Sequence, residues 1–270
     1  MSSLRCCQAL PASDFLARNQ ITSEALGARS LPQSCNAAAA RRKICCSQRP
    51  HFAIETKVAA AERIKTGFQK FKAETYTQNP ELFNELANGQ SPKFMVIACS
   101  DSRVCPTTVL GFQPGEAFVV RNVANMVPPP EQAGYPGTSA ALEYAVTALK
   151  VENILVIGHS RCGGIKALMT RKENAAKWSA FIEDWIEIGR PARASTLKSE
   201  PEGQIDHQCT KCEKESVNVS LSNLLGFPFV KEAVTSGKVA LHGGYYNFVD
   251  GAFEYWTFGA DGKPGEISKF

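Results

Sequence analysis

Short, unbroken apolar runs alternate along the chain with stretches of helical period. Phe94-Met95-Val96-Ile97-Ala98, Ala117-Phe118-Val119-Val120 and Ile154-Leu155-Val156-Ile157 are apolar at successive positions. That pattern predicts strands buried on both faces of a parallel sheet. From Ser139 to Lys150, Leu142, Ala145, Val146 and Leu149 fall on one helical face. Trp178, Phe181, Ile182 and Trp185 predict a further helix, Val217 to Leu225 another, and Val239-Ala240-Leu241 a strand after it. Nearer the start, Val58, Ile64, Phe68 and Phe71 recur between Lys and Glu from Ile54 to Phe71, an amphipathic helix. Asn79-Pro80 opens a second, with Leu82, Phe83 and Leu86 on one side and Asn88-Gly89 as its stop. Strands alternating with helices predict an α/β fold, a central mostly parallel sheet flanked by helices. No internal repeat or linker divides the chain after residue 50.

Charge changes this picture only when it is split. The net charge is +4. Residues 1–50 hold seven basic residues (Arg5, Arg18, Arg29, Arg41, Arg42, Lys43 and Arg49) against Asp14 and Glu24, leaving 23 basic and 24 acidic residues in the rest. A near-neutral body has no electrostatic footprint for nucleic acid. No apolar run is long enough for a spanning helix, so a soluble protein without a membrane span is expected. The leader is rich in Ser and Ala and poor in acid, with no secretory apolar core. It reads as an organelle transit peptide, disordered over residues 1–50, with a catalytic domain over 51–270. The Met1-Ser2-Ser3 start and the spread of Ser favour the chloroplast stroma, with mitochondrion or cytoplasm as alternatives, and a disordered tail with no address as the bland reading. Five of the ten cysteines lie in that leader; Cys99, Cys105, Cys162, Cys209 and Cys212 remain as ligands, buried thiols or redox groups.

Reactive groups in open α/β sheets gather beyond the carboxyl ends of the strands. Two predicted strands end in soft ligands, at Cys99 in Cys99-Ser100-Asp101-Ser102-Arg103 and at His159 and Cys162 in His159-Ser160-Arg161-Cys162-Gly163-Gly164. If those strands are neighbours, two thiolates and an imidazole converge. Such a set favours Zn2+, and three protein ligands leave a fourth place for a reactive water or hydroxide. Gly163 and Gly164 are expected to let the backbone turn closely around the metal. Asp101 and Arg103 are either a surface salt bridge or a carboxylate held by guanidinium and aimed at the metal's water.

These segments, with Gln113-Pro114-Gly115-Glu116-Ala117-Phe118-Val119-Val120-Arg121-Asn122-Val123-Ala124-Asn125, closely resemble the β-class carbonic anhydrases, the plant enzymes in particular, over roughly residues 55–258. The resemblance implies an α/β fold that forms a homodimer or higher homo-oligomer along its sheet, with N-terminal helices packing on the partner subunit. It implies reversible hydration of carbon dioxide to bicarbonate and a proton by zinc-bound hydroxide. Cys99, His159 and Cys162 correspond to the zinc ligands and Asp101 with Arg103 to the catalytic dyad, Asp101 ligating zinc only in a closed, inactive state. Gln90, Phe118, Val123, Tyr144 and Gly163 match substrate-binding positions, partly donated across the dimer. Many plant relatives carry a histidine, proposed as a proton relay, where this chain has Ala148.

Other features point elsewhere. His207, Cys209 and Cys212 form a rival metal or redox motif leading into the predicted Val217–Leu225 helix, or are merely packed thiols. Gly158-x4-Gly163 lacks the lysine of a phosphate loop, because Gly164 follows. A binding or signalling role without turnover is the alternative class of function, and a side activity on carbon disulfide or carbonyl sulfide stays open.

Overall fold

The computed structural model describes residues 60–131, 136–172 and 176–270. The leader, Val58 and the predicted start of the first helix lie outside them. The first helix, α1, runs over Ala60–Phe71 and is followed by α2 at Pro80–Asn88. Then come β1 (Phe94–Cys99), α3 (Pro106–Leu110), β2 (Ala117–Asn122), α4 (Pro136–Glu143) and β3 (Asn153–His159). Five helices lead to the next strand: α5 (Gly163–Thr170), α6 (Ile182–Ile186), α7 (Arg190–Ser199), α8 (Ile205–Gly226) and α9 (Pro228–Thr235). The chain closes with β4 (Ala240–Asn247), β5 (Ala252–Phe258) and β6 (Ser268–Lys269). Proline stands in the first turn of α2, α3, α7 and α9, where its missing N–H costs nothing.

The sheet has the order β2-β1-β3-β4-β5-β6. The first four strands are mutually parallel and the last two pair antiparallel, so the sheet is mostly parallel as predicted. Alternation along β1 serves two layers. Met95 and Ile97 face a core built with Leu142, Ile154, Val156, Val217, Leu221 and Leu224. Val96 and Ala98 face the other side, with Leu155 and Ile157, under Leu110, Phe112 and Phe253. Fully burying one such Leu or Ile contributes about 1.5–3 kcal/mol.

Three expectations need correction. β2 is an edge strand, half-exposed along its length, with Val119 37% exposed. An apolar run therefore marked it as a strand but not as a central one. The helix read from Trp178 to Trp185 covers only Ile182–Ile186; Trp178 and Phe181 precede it and are 55% and 85% exposed. The helix read as Val217–Leu225 starts twelve residues earlier, at Ile205. Its first half buries polar Gln208, Glu213 and Ser216 beside the two cysteines, which hid the apolar period. After α4, a widened turn at Tyr144–Ala148, closed by Leu149 N–H to Tyr144 O at 3.0 Å, leaves Tyr144 and Ala148 exposed.

Candidate metal centre

β1 pairs with β2 on one side and with β3 on the other, so the chain changes direction across the sheet between β1 and β3. At such a point the loops leaving the carboxyl ends diverge and open a crevice. Cys99 is the last residue of β1, His159 the last of β3, and Cys162 the N-cap of α5. Their sulfur and imidazole nitrogen atoms all lie within 4.8 Å of one another. No other three His, Cys, Asp or Glu side chains gather in this way among the described residues. The three are buried, at 5%, 1% and 2% exposure.

Their hydrogen bonding suits a metal. His159 Nδ1 lies 2.9 Å from Ser160 O, which can only accept, so Nδ1 carries the proton and Nε2 a lone pair. Nε2 is buried and has no hydrogen-bond partner. An orphan of that kind is costly unless something else takes the lone pair. Hydrogen bonding from Cys162 draws the Cys99 thiol well below the usual thiol range, against the opposing effect of burial. The Cys99 sulfur and burial push Cys162 the other way. The two shifts are opposite because the sulfurs hydrogen-bond to each other, and a dication binding both would compete with protons for them. One imidazole and two sulfurs are a donor set that fits zinc.

Asp101 and Arg103 form a bidentate pair, Nε to Oδ1 at 2.9 Å and Nη2 to Oδ2 at 2.6 Å. Arg103 holds the Asp101 carboxyl well below the usual carboxylate range. The pair is not buried, since the Arg103 side chain is 49% exposed and that of Asp101 18%. The Asp101 N–H points back to Cys99 Sγ at 3.4 Å.

Several supporting residues escaped the sequence reading. Arg121, at the end of β2, donates to Cys99 O from Nε at 2.9 Å and Nη2 at 2.7 Å, and to Asp101 O from Nη2 at 2.6 Å. A guanidinium ending an apolar strand run was its only signal. Phe248 stacks on His159, with ring centroids 6.1 Å apart, and lies under Arg103 at 4.3 Å. Nothing in its local sequence marks it. Buried Glu213 accepts from Cys162 N–H at 2.9 Å and from Tyr245 OH at 2.8 Å, and burial raises its pKa. Extending the helical period back from Val217 would have put Glu213 on the buried face.

The matched pocket positions are spread out. Phe118 stands four rungs before Asn122 on β2, roughly 13 Å back along the strand from the Cys99 rung. It packs against Tyr144 with ring centroids 5.9 Å apart. Gln90 is exposed in the segment before β1. Val123 is nearer the centre, where its Cγ1 lies close to Gly164 and its carbonyl accepts from Trp185 Nε1 at 2.6 Å. The two glycines do not make the turn, contrary to expectation. The left-handed residue is Arg161, at φ +54°. Gly164 instead allows close packing, since a Cβ there would come within 3.0 Å of Ala124 Cβ, whereas nothing stands within 4 Å of one built on Gly163.

The rival motif does not assemble. Cys209 and Cys212 lie inside α8 rather than ahead of it, both buried, and burial raises both thiols, Cys212 to about 12. His207 is exposed and pairs with Glu200 at 2.6 Å.

A profile of the carbonic anhydrase family matches residues 94–253. Beta carbonic anhydrase 3 of Arabidopsis thaliana is 54% identical over 201 residues, covering 74% of this chain and 78% of that protein. The solved β-carbonic anhydrase CcaA is 30% identical, with a TM-score of 0.67 over 76% of this chain and 91% of its own. A structure from work on two tetrameric β-carbonic anhydrases of Sordaria macrospora is 28% identical, with a TM-score of 0.64 over 77% of this chain and 98% of its own.

Proposed function

The chain belongs to the plant-type β-carbonic anhydrases, and on that premise we propose that it hydrates carbon dioxide reversibly at a zinc ion held by Cys99, His159 and Cys162. The observation that carries the metal assignment is the buried, unpartnered His159 Nε2 beside two sulfurs. Zinc under two thiolates and one imidazole would supply a water that ionises above about pH 7, less acidified than under three histidines. Asp101, kept ionised by Arg103, would accept a hydrogen bond from the nucleophile and orient it toward the carbon. Val123, with Phe118, would form an apolar wall for carbon dioxide, and Gln90 would donate an amide N–H to a substrate oxygen. The open space beside Gly163, where a Cβ would meet nothing within 4 Å, supports giving it a place beside the substrate. Products are bicarbonate and a proton, and with Ala148 exposed on the turn after α4 the proton would leave by Tyr144 or by buffer.

Phe118, Tyr144 and Gln90 would serve the centre of a partner subunit in a homodimer or larger assembly. Supporting this are the apolar edge of β2 and the largely exposed apolar residues of α1, where Ile64, Phe68 and Phe71 are 71%, 61% and 39% exposed. Such surfaces mark protein contacts. No helix among the described residues is long and apolar enough to cross a membrane. The basic, acid-poor leader supports delivery to the chloroplast stroma, with the catalytic domain following it. The test is a pH–rate profile of hydration: the rate should rise with pH through a pKa above about 7, and a rate flat from mildly acidic to alkaline pH would refute the mechanism.

A further inference from the structure

The peptide bond joining Arg161 to Cys162 is gripped at both polar ends. Its carbonyl, on Arg161, accepts from Arg103 Nη2 at 3.3 Å. Its N–H, on Cys162, donates to Glu213 Oε1 at 2.9 Å. Helix α5 could not have used that N–H. Cys162 is its N-cap, so the Cys162 carbonyl takes the first intrahelical bond, from Lys166 N at 2.9 Å, while the N–H is left outside. Arg161, just before it, has φ +54°. A non-glycine residue keeps that strained conformation only where its surroundings over-determine the turn.

Glu213 supplies part of that determination. It is 2% exposed in the middle of α8, and its other oxygen accepts from the hydroxyl of Tyr245, itself 1% exposed on β4. Helix α8 reaches this close to β3 because residue 158 is glycine. A Cβ there would stand 2.8 Å from Val217 Cγ2 and 3.2 Å from Glu213 O. A carboxyl group is costly at such depth unless its oxygens are used, and one of these two is used on the backbone of a sulfur-bearing residue of the cluster.

Resting on the zinc reading above, we propose that Glu213, braced by Tyr245, is a positioning residue that fixes the plane of the Arg161–Cys162 peptide and so aims the Cys162 sulfur at Cys99 and His159. Because Arg103 holds the other end of the same peptide, this bond also ties the ligand turn to the Asp101–Arg103 pair. The bond needs an acceptor oxygen at the right reach; it does not need a charge.

Two substitutions separate reach from charge. Glu213→Asp keeps the carboxylate but withdraws it by about 1.5 Å. Glu213→Gln keeps the reach and an acceptor oxygen, and its amide can donate to the Tyr245 oxygen. Zinc affinity is measured by chelator competition on the full chain, alongside the sulfur-to-metal absorption band of the cobalt-substituted protein and melting curves. Glu213→Asp should lose roughly 10- to 100-fold in zinc affinity, the usual cost of removing a partner that orients a ligand, with a weakened cobalt band. Glu213→Gln should stay close to the parent in both. Parent-like affinity and spectrum in Glu213→Asp overturn the proposal; so does a loss in Glu213→Gln as large as in Glu213→Asp, which would assign the effect to charge. Should Glu213→Asp fail to fold, Tyr245→Phe decides, with a several-fold loss of affinity expected and an unchanged affinity overturning the role. A parent that binds no zinc refutes the metal site itself, whereas a zinc-binding parent beside an unaltered Glu213→Asp refutes only the role given to Glu213.

Discussion

Cys99, His159 and Cys162 on one side, and His207, Cys209 and Cys212 on the other, offer the same ingredients, two cysteines and a histidine. The first set is scattered over 64 positions, yet its ligand atoms lie within 4.8 Å of one another. The second is packed into six positions and does not converge: its cysteines are buried among apolar side chains, and its histidine turns outward to Glu200. The difference lies in the elements that carry them. Adjacent parallel strands deliver their last residues to one point, and the turn after β3 brings Cys162 back to it. A helix spaces its side chains around a cylinder, and burial then sorts thiols inward and an imidazole outward. Closeness in sequence is thus a poor guide to ligation when the element is a continuous helix.

The sharpest way to break this comparison is to exchange losses between the two sets. Cys162→Ser should reduce bound zinc from about one equivalent per chain to nearly none, and hydration with it. Cys212→Ala should keep both and cost about 1–2 kcal/mol of stability, the usual effect of emptying a small buried site. Metal analysis and urea unfolding of the two variants decide it; zinc lost with Cys212 instead of Cys162 would reverse the assignment. Next in size is the acidic residue beside each set. Asp101→Asn should lower hydration by about 10²-fold with zinc retained, since a neutral amide no longer accepts the proton-bearing hydrogen bond in the same way. Glu200→Gln, which breaks the pair with His207, should leave turnover unchanged.

A pH titration of zinc affinity gives a smaller effect. The Cys99 sulfur and burial push the Cys162 thiol up, and against the effect of burial the same sulfur raises His159 as well, so any proton on these ligands must leave when zinc binds. Protons therefore compete with the metal, and zinc affinity should rise as pH rises from about 6 to about 8. An affinity independent of pH would contradict proton competition at these ligands. The smallest change concerns export of the product proton. Ala148 is exposed, so Ala148→His can be accommodated and should raise kcat by a few-fold in dilute buffer only. Equal kcat at every buffer concentration in a folded variant would show that position 148 is not limiting.

Much of this was legible in the chain because local pattern and final position agree there. The apolar runs became β1, β2 and β3, and the residues ending β1 and β3 became the cluster. What could not be read depended on packing across distant elements. Whether β2 was central or at the edge is set by strand order, which its composition does not encode. The first half of α8 was missed because Gln208, Glu213 and Ser216 face inward. Glu213 and Tyr245, 32 positions apart, meet only through the fold, as do Arg121 with the Cys99 carbonyl and Phe248 with Arg103. The local signs were slight: a guanidinium ending an apolar strand run for Arg121, and a polar residue inside a buried helical face for Glu213.

One zinc ion, at Cys99, His159 and Cys162, should account for the hydration of carbon dioxide by this chain. This is tested most directly by stripping the metal with a chelator, returning zinc in steps, and measuring bound zinc and hydration rate on each sample. The rate should climb in proportion to zinc and stop rising at about one equivalent per chain. A metal-free sample that hydrates carbon dioxide at the full rate, or a rate that ignores the first equivalent of zinc, would contradict it.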